Sequence, residues 1–446
     1  MSAQIQPDSS ATSCVLGVGD PGRPFAYGPD GVLPLARFHA QVRALAARLP
    51  AGRHVVNLCE DRYRFLVAFC AAALRGQVTL LPSSRAAGVV GDALAGHADS
   101  YALGDVPPDE PPPRWWRLPE VLDEVDGPPP QVPAEAVVAV GFTSGSTGAP
   151  KAHPKTMAAF RTSTAQNLGA LADLWQGQVP SIVATVPPQH MYGMEMTVLM
   201  PLLAPVAVHA GRPLFPHDVA RALAQAPAPR MLVTTPIHLR ALVESALALP
   251  PLAAMVSATA PLPPELARAA EARFGGQLRE TFGSTETCIF ARRRTALESA
   301  WTPLPGVRVQ PQPDGALVHA PHLPQPVALA DLVEVEADGR FHLRGRQADL
   351  LELAGKRASL GELDRRLLAV PGVRDGALLQ LEPDALGVRR IAALVVAPGL
   401  DEATLLAALR QAMDPVFLPR RIRFLDALPR NETGKLPRAQ ALALLA

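Results

Sequence analysis

Apolar residues in this chain come in short runs set off by turn-forming stretches, and the runs alternate in kind. Val55 to Leu58 has the pattern of a buried strand, Tyr63 to Arg75 that of a helix, and Val78 to Leu81 that of a second strand. This is a β-α-β rhythm. The stretch from Pro107 to Pro133 is rich in Pro, Asp and Glu and reads as a surface connection. A strand beginning at Val137 leads into a glycine-rich loop, and a helix is expected over Thr156 to Leu168. Further strands are expected at Ile182 to Val186, Met231 to Thr235, Met255 to Ala258 and Leu278 to Phe282, separated by helices at Ile237 to Leu247 and Pro264 to Phe274. Such alternation predicts parallel or mixed sheets covered by helices.

After Val307 the texture changes to short strands separated by turns: Ala316 to His319, Val333 to Glu336 and Arg340 to Leu343. The end differs again. A helix at Glu362 to Leu368, strands at Gly376 to Gln380 and Ile391 to Ala397, a helix at Asp401 to Met413 and a strand at Ile422 to Phe424 predict a small α+β domain. The fold class read from the pattern is α/β with α+β. A large domain of mixed sheets and helices spans 1–346, and a small domain spans 347–446. No internal repeat is visible.

Composition changes this picture little. A chain of 446 residues, 48% hydrophobic and 19% charged, fits a globular protein of two or more domains. A net charge of +1 gives no broad attraction to nucleic acid or to a membrane surface. No apolar run approaches the roughly 20 residues of a membrane span. The four cysteines show no paired spacing and read as reduced thiols, which with the polar start of the chain points to the cytoplasm.

The chemistry concentrates first in Phe142 to Lys151, FTSGSTGAPK. Small residues leave backbone N–H groups open, hydroxyls add donors and a lysine adds positive charge, the composition that a polyphosphate requires. The spacing is not GxxxxGK[ST], since only two residues separate Gly148 from Lys151. Gly434-Lys435 has Pro429 where that pattern needs glycine, and no GxGxxG is present.

The loop resembles the signature of the AMP-forming acyl-adenylating superfamily: acyl-CoA synthetases, aryl-acid ligases and adenylation domains. Further signatures follow in the family order. Ser257-Ala258-Thr259-Ala260-Pro261-Leu262 resembles the segment that lies along adenine. Phe282-Gly283-Ser284-Thr285-Glu286 resembles the aromatic-Gly-x-Thr-Glu motif. Asp331, and Arg346 of Gly345-Arg346, resemble the ribose-binding pair, with Ala330 where relatives carry glycine. Pro429 to Arg438 resembles the C-terminal PxxxxGKxxR. The likeness runs from about Val55 to Arg438, and the chain is shorter than most relatives, with the deficit in the large domain.

The resemblance implies roles. Thr143, Ser144, Gly145, Ser146, Thr147, Gly148 and Lys151 steer the β- and γ-phosphates of ATP. Ser257, Thr259, Ala260, Phe282, Gly283 and Ser284 border the nucleotide, and Asp331 and Arg346 reach the ribose. Thr285 holds the α-phosphate, Glu286 holds Mg²⁺ and Lys435 is the mobile catalytic cation. His190, Tyr192, Gly193 and Met194 belong to the acyl pocket, and no aspartate there pairs with an amino group. The family hinge falls at Ala348, with Asp349 next, and Gly355-Lys356-Arg357 resembles the loop that lines the thiol tunnel after domain rotation.

The implied reaction joins a small carboxylic acid to AMP and passes the acyl group to coenzyme A or to carrier-protein phosphopantetheine. The short length and the PPQHMYG run resemble stand-alone ligases of aryl-polyene or xanthomonadin-type pathways that activate hydroxybenzoate-like acids. A fatty acyl-CoA ligase and a degenerate, non-catalytic nucleotide binder are the alternatives.

Overall fold

The computed structural model describes residues 12–144, 150–175, 178, 180–346, 350–353, 356–381, 390–431 and 434–445. By contacts the chain forms two compact units. The first comprises 1–298, 304–307 and 320–325; the second comprises 299–303, 308–319 and 326–446. The expected division after Arg346 therefore falls inside the second unit.

Two large sheets and a two-stranded one, Ser13–Val15 with Gln131–Pro133, build the first unit. One large sheet runs in the order Pro150–Thr156, Val137–Ser144, Val78–Leu81, His54–Asn57, Ser100–Gly104, Trp115–Arg117. All its pairings are parallel except the first. The other runs Cys288–Arg293, Gln277–Ser284, Ala254–Ser257, Arg230–Thr234, Ser181–Ala184, Ala207–His209, Pro24–Gly28, Gly31–Pro34. Its inner strands are parallel, which requires helical crossovers and cover on both faces. The helices are where the apolar periodicity placed them: Arg62–Leu74, Pro236–Glu244 and Pro264–Phe274. Local chemistry sets their ends. Asp61 accepts the Arg64 N–H at 2.9 Å, and Gly275 closes the Pro264–Phe274 helix at φ 83°.

Three expectations change. The Pro107–Pro133 connection contributes an edge strand, Trp115–Arg117, and a short strand, Gln131–Pro133. Helices at Leu35–Arg48, Ala87–Ala95 and Pro216–Gln225 add cover that the apolar pattern did not reveal. The glycine-rich loop does not run directly into a helix. It returns as the antiparallel strand Pro150–Thr156, and the helix Met157–Leu171 starts only then, capped by Thr156 Oγ1 on the Ala159 N–H at 3.1 Å. Pro150 and Pro154 hide that strand from a propensity reading, yet an edge strand tolerates proline.

In the second unit, Asp331–Val335 pairs with Phe341–Arg346 as an antiparallel hairpin. Strand Ile391–Val396 lies between Asp375–Gln380 and Arg421–Phe424. Ile391, Ala393 and Val395 enter one apolar cluster, and Ala392, Leu394 and Val396 enter another. Both faces are covered, so the strand is apolar throughout instead of alternating.

Candidate active site

Parallel strands present their C-terminal ends to ligands, and the candidate residues of the first unit lie at such ends. Thr143 and Lys151 are Cα partners across the hairpin that carries the glycine-rich loop. Ser144 ends the outgoing strand, and Lys151 is exposed on the returning one. Gly145, Ser146, Thr147 and Gly148 lie outside the described residues, as do Ala348, Asp349 and Gly355.

The Thr285–Glu286 turn joins Gln277–Ser284 to Cys288–Arg293. Its approach needs glycine at two places. A Cβ on Gly283 would stand 2.2 Å from the Cys288 carbonyl oxygen, and one on Gly141 would stand 2.4 Å from Thr285 Cγ2. Cys288 closes the turn at φ 56°. The Thr287 hydroxyl accepts the Ser284 N–H at 3.0 Å and donates to the Cys288 carbonyl at 2.9 Å.

Two residues that the sequence reading did not single out converge on this turn. His153 and Lys155 alternate along the returning strand and so share a face. His153 Nε2 lies 3.0 Å from Thr143 Oγ1 and 3.7 Å from Glu286 Oε1. Lys155 is 6% exposed and donates to the Glu286 main-chain carbonyl at 2.7 Å. Burial opposes ionisation of Glu286. Its own backbone N–H, the Ser284 side chain and neighbouring His153 outweigh that, and hold the carboxyl below the usual range. Burial, with help from Lys155 and Lys151, lowers the His153 pKa, although Glu286 acts the other way.

A partly exposed, ionised carboxylate beside hydroxyls is a hard oxygen site. Among the described residues no group of three or more His, Cys, Asp or Glu could cage a metal. That donor set fits Mg²⁺, which takes one or two carboxylates and completes its shell with phosphates and water.

Beside the turn, Ser257 is fully buried, and its hydroxyl has no hydrogen-bond partner among the described residues. Thr259 sits at φ 81°, a strained conformation for a β-branched residue. Ala260 follows, half-buried. The segment is anchored where the Leu262 N–H meets Glu280 Oε1 at 3.2 Å, while Glu280 Oε2 accepts from Arg293 at 2.7 Å and Thr295 at 2.6 Å. Phe282 stacks at a tilt on Phe290, with ring centroids 5.1 Å apart.

The pocket segment is a short helix, Met191–Gly193, widening into π-type turns over Met194–Leu199. Gly193 packs so tightly that a Cβ would stand 2.0 Å from the Pro187 carbonyl oxygen. Met194 is fully buried. Tyr192 is 5% exposed, and its hydroxyl faces the carbonyls of Thr234 at 3.2 Å and Val256 at 2.9 Å. Both are core side chains. His190 is half-buried, and Gln189 Oε1 is buried with no hydrogen-bond partner among the described residues. Glu195 is the one carboxylate from Pro187 to Leu203 and is 1% exposed. It accepts from Ser163 Oγ at 2.8 Å, Asn167 Nδ2 at 3.1 Å and the Ile289 N–H at 2.9 Å. Burial pushes its pKa up to about 7 against these donors.

In the second unit Asp331 and Arg346 are Cα partners across the hairpin. Lys435 is exposed on a turn closed by two bonds: the Lys435 N–H to Asn431 Oδ1 at 2.9 Å and the Asn431 N–H to the Lys435 carbonyl at 2.8 Å. Arg430, within the signature but given no role by it, braces this turn. It forks onto Asp375 at 2.8 and 2.7 Å and bonds the Gly434 carbonyl at 3.0 Å.

Comparison with known proteins shows the family and the fold. The family model described as AMP-binding enzyme matches residues 89–319, and that of the AMP-binding enzyme C-terminal domain matches 362–435. The chain is 33% identical over 310 residues to a 4-coumarate–CoA ligase of Rhodobacter capsulatus, covering 68% of this chain and 75% of that one. It is 29% identical over 359 residues to a sulfoacetate–CoA ligase of Cupriavidus necator, covering 71% and 68%. In fold it is similar to o-succinylbenzoate coenzyme A synthetase from Bacillus subtilis in complex with ATP and magnesium. That TM-score is 0.79 at 18% identity, over 94% of this chain and 96% of that one. The chain belongs to the AMP-binding enzyme family, within the AMP-forming acyl-adenylating superfamily. It is an ATP-dependent, adenylate-forming acid–thiol ligase. Among the described residues no helix is long and apolar enough to cross a membrane.

Proposed function

We propose that this ligase activates an aryl carboxylic acid of the hydroxybenzoate or hydroxycinnamate kind. The observation that carries the nucleotide half is the cluster of Thr143, His153, Ser284 and Glu286, where an ionised carboxylate, two hydroxyls and an imidazole meet at the strand ends. The substrate carboxylate attacks the α-phosphorus of ATP and expels pyrophosphate, and a thiol then attacks the acyl carbon and expels AMP. Thr285 binds the α-phosphate as charge builds on it. Glu286 would hold Mg²⁺, which neutralises phosphate charge and orients the leaving pyrophosphate. Lys435 offsets the repulsion between the attacking carboxylate and the phosphate.

For the acid, the likeness to a 4-coumarate–CoA ligase favours an aryl group. The only carboxylate of the pocket segment, Glu195, is spent on core hydrogen bonds, so an α-amino group finds no counter-ion there. A fatty acid is the second reading. The acceptor is the thiol of coenzyme A or of carrier-protein pantetheine. Acid-dependent ATP–pyrophosphate exchange over benzoates, cinnamates and fatty acids, followed by acyl transfer to each acceptor, separates these readings. Exchange with the aryl acids is expected, and none with any acid overturns the assignment. Lys435→Ala is expected to lose roughly 100-fold or more in exchange while ATP still binds.

A further inference from the structure

Three buried polar side chains from three separate elements grip successive backbone groups of the turn that bears Thr285 and Glu286. Lys155, from the strand Pro150–Thr156, donates to the Glu286 carbonyl at 2.7 Å. His322 Nε2 donates to the Thr287 carbonyl at 2.7 Å, while its Nδ1 lies 2.7 Å from Gln166 Oε1. Glu195, from the π-type turns, receives the Ile289 N–H on both carboxylate oxygens, at 2.9 and 3.1 Å. Between them the Thr287 hydroxyl spans from the Ser284 N–H to the Cys288 carbonyl. These three side chains are 6%, 5% and 1% exposed.

Burying an ammonium and a carboxylate is unfavourable, and apolar residues of the same volume would fill the space at lower cost. What the charged groups add is direction. Each is a hydrogen bond to a particular backbone atom of one turn, and all three side chains are buried. The turn in question is short, enters through Gly283 in backbone contact with Cys288, and holds Cys288 at positive φ. A segment in that conformation keeps its geometry only if its surroundings over-determine it.

We propose that Lys155, Glu195 and His322, acting through Thr287, are positioning residues that hold Thr285 and Glu286 in register for the Mg²⁺-bound triphosphate. The proposal rests on the nucleotide-binding reading above. The clamp touches the main chain of the turn and leaves the Glu286 carboxylate to its ligand. Its loss should therefore be felt in the magnesium-dependent part of ATP binding, and not in the acid site.

The test is calorimetric titration of ATP into the full chain without acid, in excess Mg²⁺ and in EDTA. Lys155→Met, Glu195→Ala and Glu195→Gln are compared with wild type, with thermal unfolding as the control for folding. Lys155→Met and Glu195→Ala are expected to bind ATP in EDTA like wild type but to lose about 10-fold or more of the Mg²⁺ enhancement. Glu195→Gln keeps an acceptor for the Ile289 N–H and is expected to restore it. In the exchange assay KM for MgATP rises while KM for the acid stays fixed. If Lys155→Met does not fold, Thr287→Val, nearly the same in shape, takes its place. Wild-type Mg²⁺ enhancement in a folded Lys155→Met, Glu195→Ala or Thr287→Val chain overturns the proposal. A wild-type chain that binds no ATP overturns the nucleotide reading, and the proposal with it.

Discussion

Replacing Arg430 tests how the exposed Lys435 is held. The Arg430 guanidinium makes two charge-assisted bonds to Asp375, at 2.8 and 2.7 Å, one of 3.0 Å to the Gly434 carbonyl and a longer one of 3.4 Å to the Gly376 carbonyl. A hydrogen bond to a charged group contributes about 1.5–3 kcal/mol. The two side chains keep 19% and 25% of their exposure, so water screens the pair and partly rehydrates Asp375 once its partner is gone. The net loss in Arg430→Ala should be about 2 kcal/mol, not the sum of four bonds. Felt locally, that is roughly 30-fold faster opening of the turn. Amide exchange at Asn431 and Lys435, whose N–H groups close the turn, should accelerate by that factor. Pyrophosphate exchange should fall about 10-fold or more as the cation loses its aim. Arg430→Lys keeps the charge but loses the fork and should lie between. Unchanged amide exchange and unchanged turnover in Arg430→Ala would refute the reasoning.

Other consequences follow from the same geometry. In Tyr192→Phe the two backbone carbonyls lose a buried donor, so stability should drop by about 1–2 kcal/mol, read as a lower melting temperature. KM for the acid should hardly move; a large rise would return Tyr192 to the pocket wall. Gly141→Ala forces a methyl to 2.4 Å from Thr285 Cγ2, so Thr285 must rotate. Exchange should fall about 10-fold in a chain destabilised by about 1–3 kcal/mol, and wild-type exchange would contradict the contact. Glu195 gives a pH signature. Its folded pKa of about 7 stands above the ordinary 4.5, so the native state holds the proton more tightly than the unfolded chain. Stability from this group is therefore present at low pH and is lost as pH rises from 4.5 through about 7, by at most about 3 kcal/mol. Glu195→Gln should remove that slope and gain on wild type up to pH 7. Parallel denaturation curves across pH 5 to 8 would rule this out.

Much of the architecture was legible in one dimension. The Pro264–Phe274 helix and the Val78–Leu81 strand coincide with their expected bounds, because capping, helical periodicity and short apolar runs are local signals. The strand Pro150–Thr156 was not legible, since two prolines argue against a strand unless its position at a sheet edge is known. The signature motifs likewise carried the family, and with it Thr285, Glu286 and Lys435 as candidates, because such motifs are short contiguous patterns. Their supports are not. His153 and Lys155 look like surface residues of a basic stretch until the hairpin register turns them toward Glu286, and Arg430 has no visible task until Asp375 arrives from 55 residues away.

The sequence by itself therefore determined much of the element order and the family with its chemistry, since each depends on neighbours in the chain. Only the tertiary structure decided which polar residues brace those groups. It also decided that Tyr192 and Met194 lie in the core, and that Glu195 is drawn from the pocket segment into the turn's support. The physical reason is that hydrogen-bond partners and burial are set by segments far apart in sequence, and a buried charge becomes intelligible only once the atoms that satisfy it are in place.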